Sequence, residues 1–453
     1  MGRLFGTDGV RGVANVEPMT AEMALEIGRA AAYVCKRTPR ERHQILIGKD
    51  TRQSGYMLEN ALTAGICSMG VDVLLVGPIP TPGVAFLTKS MRADAGIVIS
   101  ASHNPYQDNG IKLFSRAGFK LPDPEEEEIE DLILSKRIHD IRATAEEVGK
   151  ASRIDDAMGR YIVFCKSTFP DEFSLENMKL VLDCANGATY RVAPTIFREL
   201  GAEVIALNTE PNGTNINADC GSQHTEGLRA AVIETGADAG LAFDGDGDRL
   251  IAVDEQGQEL SGDQIMTICA DYYKKRGMLS NNLLVSTVMS NFGLGVALDA
   301  LGIARDASQV GDRYVVELML QRGAVLGGEE SGHLIFLNHH TTGDGIISAL
   351  QLLSGLRAAG TPLSEQAALM SRFPQTVVNV DVPRKPPLEQ LPSVMEAITS
   401  AEAELASQGR VLVRYSGTQS MCRVMVEGPT EDLTKELADR LALAVREAIP
   451  ADG

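Results

Sequence analysis

From Ala21 onward the chain switches repeatedly between two hydrophobic periods, and this alternation restricts its fold more than any other feature. Gln44–Gly48, Val71–Val76 and Gly96–Ser100 are short apolar runs that read as strands. Ala21–Lys36, Leu58–Met69 and Val84–Met91 have helical spacing and separate them. Strands alternating with helices predict a largely parallel sheet covered on both faces. The pattern returns over 153–250, with strands at Lys179–Ala185, Ala202–Leu207 and Gly240–Phe243 and helices at Arg191–Leu200 and Leu228–Glu234. A third round covers roughly 252–368, with helices near Gln264–Lys275, Gly293–Leu301 and Ile346–Ala358. No letter-by-letter repeat accompanies the three rounds.

After Phe373-Pro374 the order changes. Val377–Val382 reads as a strand, Leu388–Ser407 as a helix, Val411–Tyr415 and Cys422–Val426 as a strand pair, and Leu433–Ile449 as a last helix. That order predicts a separate α+β module. At 453 residues the chain is too long for one core, since domains run to roughly 100–200 residues. The expected division is 1–152, 153–252 and 253–370 as three α/β domains and 371–453 as the C-terminal α+β domain.

Charge and cysteine usage exclude whole classes. The net charge of -19 argues against nucleic acid, because binding a phosphate backbone needs a basic excess. An anionic substrate must then be held by a local cluster of Arg and Lys against the overall field. Seven cysteines without CxxC spacing make a disulfide framework an unsuitable reading. MGRLFGTDG has no apolar signal-peptide core, position 6 is Gly where a myristoylation site needs Ser or Thr, and no apolar run reaches the roughly 18 residues of a membrane span. A soluble cytoplasmic protein without a membrane partner is expected.

Two motifs carry the chemistry. Asp244-Gly-Asp246-Gly-Asp248-Arg249 places carboxylates at alternate positions, so that all three can converge on one cation. All-oxygen ligation selects a hard ion such as Mg²⁺ or Ca²⁺. Glu255 closes a twelve-residue count from Asp244, as in an EF-hand, but Arg249 occupies the position where that loop needs Gly, and the flanks read as strands. The second motif, Ser100-Ala-Ser-His-Asn-Pro105 followed by Asn109-Gly-Ile-Lys112, offers a serine hydroxyl in a polar, turn-rich stretch, with Lys112 as a source of positive charge. A serine nucleophile and a hard-metal site are the minimal parts of a phosphoryl-transfer enzyme.

Other loops fit such a centre. Gly327–His333 is polar and glycine-rich, and Glu329 and Ser331 can read hydroxyls. Arg414-Tyr-Ser416-Gly417-Thr418, with Arg423 beyond, gathers guanidiniums, hydroxyls and a glycine backbone suited to a phosphate dianion. Phe5–Gly12 is a glycine loop with one guanidinium, Arg11. Gly48–Arg52 follows a strand, at the sheet end where ligands usually bind.

Taken in order, FGTDGVRG, SASHNP with NGIKLF, DGDGDR, GEESGH and RYSGT closely resemble the α-D-phosphohexomutase family from end to end. NINADCGSQH at Asn215–His224, VGDRYV at Val310–Val315 and TTGDG at Thr341–Gly345 are most similar to its bacterial glucosamine-phosphate members. The resemblance implies three related mixed- or parallel-sheet α/β domains plus a C-terminal α+β domain around a central cleft. It implies interconversion of glucosamine 6-phosphate and glucosamine 1-phosphate toward UDP-N-acetylglucosamine and cell-wall precursors. The alternatives are a phosphomannomutase or phosphoglucomutase of the same family, and a sugar-phosphate-binding protein without activity.

By the same resemblance Ser102 is carried as phosphoserine, and Ser102 with Asp244, Asp246 and Asp248 holds one Mg²⁺. Arg11, Lys112 and Arg249 stabilise charge or move protons there, and His103 orders the loop or contacts phosphate. Asp312, where glucose- and mannose-type enzymes often carry His, and Arg313 join Glu329, Ser331, Arg414, Ser416, Gly417, Thr418 and Arg423 in binding substrate. Glucosamine or glucose 1,6-bisphosphate is the expected intermediate and activator, and a phosphoryl donor or kinase can load Ser102 first. A monomer and a homodimer both fit. A hinge is expected near Pro374. The phosphate loop departs from the family in reading Gln419-Ser420 where Glu-Pro is usual.

Overall fold

The computed structural model describes residues 4–6, 8–36, 42–416 and 420–450. Strands are numbered in chain order. The first sheet contains β1 (Val10–Val13), β2 (Gln44–Lys49), β3 (Asp72–Pro78), β4 (Ala95–Ile99), β5 (Asp108–Ser115) and β6 (Ala151–Arg153), in the order β1-β5-β4-β2-β3-β6. Its centre is parallel, and β5 runs antiparallel to both β4 and β1. Ile45, Leu46 and Ile47 of β2 are all buried, because helices cover both faces of the sheet.

The second sheet has β7 (Lys179–Asp183), β8 (Glu203–Leu207), β9 (Ala239–Phe243), β10 (Leu250–Asp254) and β11 (Glu259–Leu260), in the order β11-β10-β9-β7-β8. The third has β12 (Leu283–Thr287), β13 (Ala304–Ser308), β14 (Leu326–Gly328) and β15 (Leu334–Phe336), in the order β13-β12-β14-β15. One rule unites the three sheets. Each has a parallel centre and then adds one antiparallel neighbour: β5 beside β4, β10 beside β9 and β15 beside β14. The three connections inside these pairs are residues 100–107, 244–249 and 329–333. They contain SASHNP, DGDGDR and the core of GEESGH. Three chemically unlike motifs therefore occupy one topological position in three related units.

Asn109-Gly110 was expected in a turn-rich stretch but lies within β5, paired with β1 on one side. Asn109 is buried, with its amide bonded to Ser54 Oγ and its carbonyl oxygen accepting from Gly110 N. Tertiary pairing overrides the turn preference of Asn-Gly here.

The chain divides into two compact units. The larger contains residues 1–289 and 303–369; the smaller contains 290–302 and 370–453. The smaller unit is an antiparallel sheet of β16 (Gln375–Asp381), β17 (Arg410–Tyr415) and β18 (Met421–Glu427), ordered β16-β18-β17. Helices Pro392–Leu405 and Glu431–Ala448 supply Val394, Leu405, Leu437 and Leu441 to its core. Helix Phe292–Ala300, which belongs to the third α/β round by chain order, packs within this unit. No helix among the described residues is long and apolar enough to cross a membrane.

Candidate active site

Ser102 begins the site with a strained backbone. It has φ of 53° and is nearly fully buried. Residues other than glycine seldom occupy this left-handed region. The conformation aims Ser102 Oγ across to the second sheet, where it donates to Asp244 Oδ2 at 2.6 Å. His103 Nδ1 lies 3.2 Å from the same hydroxyl.

The β9–β10 connection delivers the three carboxylates. Asp244, Asp246 and Asp248 are buried and bring one oxygen each to within 4.8 Å of one another. Gly245 allows this approach: a Cβ there would sit 2.7 Å from Ser102 O and 2.8 Å from Asn217 Nδ2. Gly247 has φ of +73° and completes the turn. Burial, then repulsion by Asp248 and Asp246, pushes the Asp244 carboxyl well above the usual range. Burial would raise Asp248 as well, but Lys112, His333 and Arg249 outweigh it and hold its carboxyl low.

The triad fits a metal. Asp246 Oδ1 and Asp248 Oδ1 are buried without a hydrogen-bond partner. Buried, mutually repelling carboxylate oxygens that make no hydrogen bond are costly unless a cation gathers them. The donor set is all oxygen, which suits a hard divalent ion.

Cations surround the carboxylates. Lys112, from β5, lies 2.9 Å from Asp246 Oδ2, 3.4 Å from Asp8 Oδ2 and 3.6 Å from Asp248 Oδ2. Burial opposes the Lys112 charge, but these three partners more than compensate and hold its proton tightly. Arg11 pairs with Asp8 and donates to Ala101 O at 3.4 Å. Arg249 N donates to Asp244 Oδ1 at 3.2 Å, and its buried guanidinium Nε makes no hydrogen bond but lies 3.9 Å from Asp248 Oδ1. Thr81 Oγ1 donates to Asp246 Oδ2 at 2.7 Å. Burial, with Arg249 and Arg11 next, lowers His103 to about 4.

The third sheet contributes the remaining wall. His333 Nδ1 lies 3.6 Å from Asp248 Oδ1, and its Nε2 lies 3.7 Å from Asp312 Oδ2. Burial disfavours its charge, yet Asp248 and Asp312 raise it to about 9. Glu329 Oε1 accepts from Gly311 N at 3.0 Å, and Ser331 Oγ is buried without a partner. Asp312 is held by Lys120 Nζ at 2.7 Å, and Lys120 also pairs with Asp8. Asp312 begins helix Asp312–Arg322, and Arg313 follows it there, but the Arg313 guanidinium is committed to Asp123, Glu126 and Leu121 O.

In the smaller unit, Arg414 and Arg423 sit directly opposite each other on β17 and β18. Like charges opposed across a ladder are unfavourable without a counter-ion. Lys385 Nζ donates to Ser416 O at 2.6 Å beside them. Gly417 and Thr418 lie outside the described residues.

The larger unit thus brings together Ser102, His103, Arg11, Lys112, the three aspartates, Arg249 and, through Lys120 and His333, Asp312. Reading the sequence for roles missed Asp8, Lys120, Thr81, Asn217 and His333. Asp8 and His333 lay inside motifs already singled out; Lys120 carried no local signal.

Four family models cover most of the chain. All describe phosphoglucomutase/phosphomannomutase: alpha/beta/alpha domain I over residues 2–139, domain II over 160–257, domain III over 261–373 and the C-terminal domain over 377–444. The phosphoglucosamine mutase of Syntrophus aciditrophicus (strain SB) is 61% identical, covering 99% of this chain and 100% of its own. That of Syntrophobacter fumaroxidans is also 61% identical over the same shares. Among solved structures, a phosphoglucomutase/phosphomannomutase family protein from Burkholderia thailandensis superposes with a TM-score of 0.82 at 24% identity, covering 100% of this chain and 98% of that one. The Aspergillus fumigatus N-acetylphosphoglucosamine mutase, solved with GlcNAc-6P and magnesium, gives 0.65 at 18% identity, covering 98% and 96%. At these identities the two structures speak for the fold.

Proposed function

The chain belongs to the phosphoglucomutase/phosphomannomutase family, and from that premise we propose that it interconverts glucosamine 6-phosphate and glucosamine 1-phosphate. The observation that carries the chemistry is the 2.6 Å contact between Ser102 Oγ and Asp244, which joins a nucleophile to a metal-ready triad. The near-full-length relatives at 61% identity carry the choice of sugar.

Ser102 Oγ carries a phosphoryl group. The sugar's free hydroxyl attacks that phosphorus, the Ser102 Oγ–P bond breaks, and a 1,6-bisphosphate forms. The bisphosphate turns over in the site, and Ser102 Oγ, giving up its proton, attacks the other phosphorus; the sugar O–P bond there breaks, the sugar oxygen takes up a proton, and the isomeric sugar monophosphate leaves. Asp244, Asp246, Asp248 and the phosphorylated Ser102 would hold Mg²⁺. When bound, the ion neutralises phosphoryl charge and favours in-line transfer. Lys112, Arg11 and Arg249 supply fixed positive charge around the same phosphorus. The sugar hydroxyl's proton leaves as it attacks, and the released Ser102 oxygen takes one up.

Glu329 and Ser331 read sugar hydroxyls, and the opposed Arg414 and Arg423 take the non-reacting phosphate. Asp312 faces the 2-ammonium. Lys120 at 2.7 Å and His333 at 3.7 Å already face Asp312 Oδ2, so the 2-ammonium would join them as a further cation at that carboxylate.

Intact mass before and after phosphatase, on the parent and on Ser102→Ala, tests the carrier. A phosphate adduct present on the parent and absent from the variant is expected. Turnover of glucosamine 6-phosphate against glucose and mannose 6-phosphates tests the sugar, and a preference for either hydroxy sugar would replace this reading. Asp312→Ala is expected to erode the preference for the amino sugar; an unchanged preference removes Asp312 from that role.

A further inference from the structure

Two segments that the chemistry above leaves unused meet at one point. Gly48–Arg52 lies at the end of β2. Asn215–His224 lies beyond β8, in the second α/β round. Arg52 Nη2 donates to Ser102 O at 3.1 Å and to Asn104 O at 2.6 Å. Asn217 Nδ2 donates to the same two carbonyls, at 2.9 and 3.0 Å. Two side chains, from connections of two different sheets, thus clamp one pair of backbone oxygens.

Both arms are themselves fixed. Arg52 is fully buried; its Nη1 pairs with Asp50 Oδ2 at 3.0 Å and its Nε donates to Asp108 O at 2.9 Å. Asp50 Oδ2 also accepts from Ser100 Oγ at 2.6 Å, and Ser100 Oγ accepts from Ser102 N at 2.9 Å. The chain of bonds therefore grips the Ser102 residue at both its N–H and its C=O. Asn217 N donates to Ala185 O at 2.9 Å, which anchors the other arm to the loop that follows β7.

We infer that Asn217 and Arg52 are positioning residues that hold Ser102 in its left-handed conformation, so that the hydroxyl gives and receives phosphoryl groups at one fixed point. The inference rests on the reading of Ser102 as a phosphoryl carrier. Such a carrier acts twice in each turnover, with a freely reorienting intermediate in between. The substrate cannot preserve the geometry over that interval, so the protein must. Left alone, a serine leaves φ of 53° for commoner backbone regions. Rotating its peptide swings Oγ away from Asp244. The clamp binds both carbonyls that such a rotation would move. It also spans the serine-bearing and aspartate-bearing sheets, so it fixes their spacing.

The test deletes one arm without backbone strain. Asn217 has φ of 57°, which glycine adopts freely. Asn217→Gly therefore removes the side chain while the backbone keeps an allowed conformation. Parent and variant are charged with glucose 1,6-bisphosphate. Steady-state kinetics with glucosamine 6-phosphate and the ³¹P resonance of the phosphoserine are then recorded. The expected result is a KM within about twofold of the parent and a kcat lower by about ten- to a hundredfold, the scale for a misplacement on the order of 1 Å. The phosphoserine resonance is expected to broaden or split. Arg52→Lys, which keeps the charge beside Asp50 but loses the planar fork, is expected to show the same pattern.

Parental kcat with a single sharp resonance in Asn217→Gly overturns the inference. So does a loss confined to KM or to the yield of folded protein. A parent that takes up no phosphate on Ser102 would instead remove the carrier reading, which the parent measurements alone reveal.

Discussion

Lys112 shows what one residue can and cannot disclose from sequence. Its type and its closeness to SASHNP marked it as a source of charge. That it balances three carboxylates at once, two from the second sheet and Asp8 from the N-terminal loop, is visible only in three dimensions. Lys120 is the stronger case, because nothing in its neighbourhood in the chain separates it from a surface lysine. His340 gives a residue-scale prediction. Its Nε2 donates to Pro82 O at 2.8 Å, and its Nδ1 accepts from Thr341 N at 2.8 Å. A proton on Nδ1 would face an N–H. Burial, with Lys89 adding a smaller repulsion, lowers the imidazole to about 4. The unfolded chain then binds more protons than the folded one between about pH 4 and 6.5, so stability is full above that window and falls as pH drops through it. The loss is on the order of 3 kcal/mol. Denaturant titrations at pH 7, 6, 5 and 4 are expected to show this slope in the parent and a shallower one in His340→Gln. Parallel curves would mean that other groups set the acid limit.

At the scale of elements, the antiparallel strand added to each parallel sheet is the recurring device. A tight reversal at the carboxyl end of a parallel strand puts its connection where ligands gather. Three such reversals supply Ser102, the three aspartates and the Glu329–His333 loop. The strand flanks of DGDGDR were legible because Leu241–Phe243 and Leu250–Val253 are apolar on both sides of it. Strand β5 was not, because Asn109-Gly110 imitates a turn and only its two neighbours hold it extended. Gly245 tests the closeness of the first two reversals. Gly245→Ala would press a methyl group against Ser102 O and Asn217 Nδ2. The overpacking is expected to cost about 1–3 kcal/mol and to lower kcat at least tenfold, read by thermal unfolding and steady-state turnover. A variant with parental turnover would show that the two loops have slack.

At the scale of the molecule, the smaller unit is built from two separate stretches of chain. Glu427 joins them. It is fully buried and accepts from Asn291 Nδ2 at 3.0 Å, Phe292 N at 3.1 Å and Gln375 Nε2 at 3.0 Å, with Arg410 as its ion-pair partner. Glu427→Ala leaves Arg410 without its carboxylate. It is expected to destabilise this unit by about 3–5 kcal/mol, the range for breaking a buried pair. Hydrogen exchange should then accelerate in helix Phe292–Ala300 together with strands β16 to β18. Unchanged protection of that helix would show that other contacts hold it. Sequence by itself determined the three α/β rounds, the α+β tail and the serine and aspartate motifs, because periodicity and motif chemistry are local along the chain. Only the tertiary structure decided that residues 290–302 pack with the tail, that Lys120 joins Asp8 to Asp312, and that Arg52 and Asn217 grip one serine. Those facts depend on pairings between residues far apart in the chain, and burial turns each pairing from an optional surface contact into one the fold must satisfy.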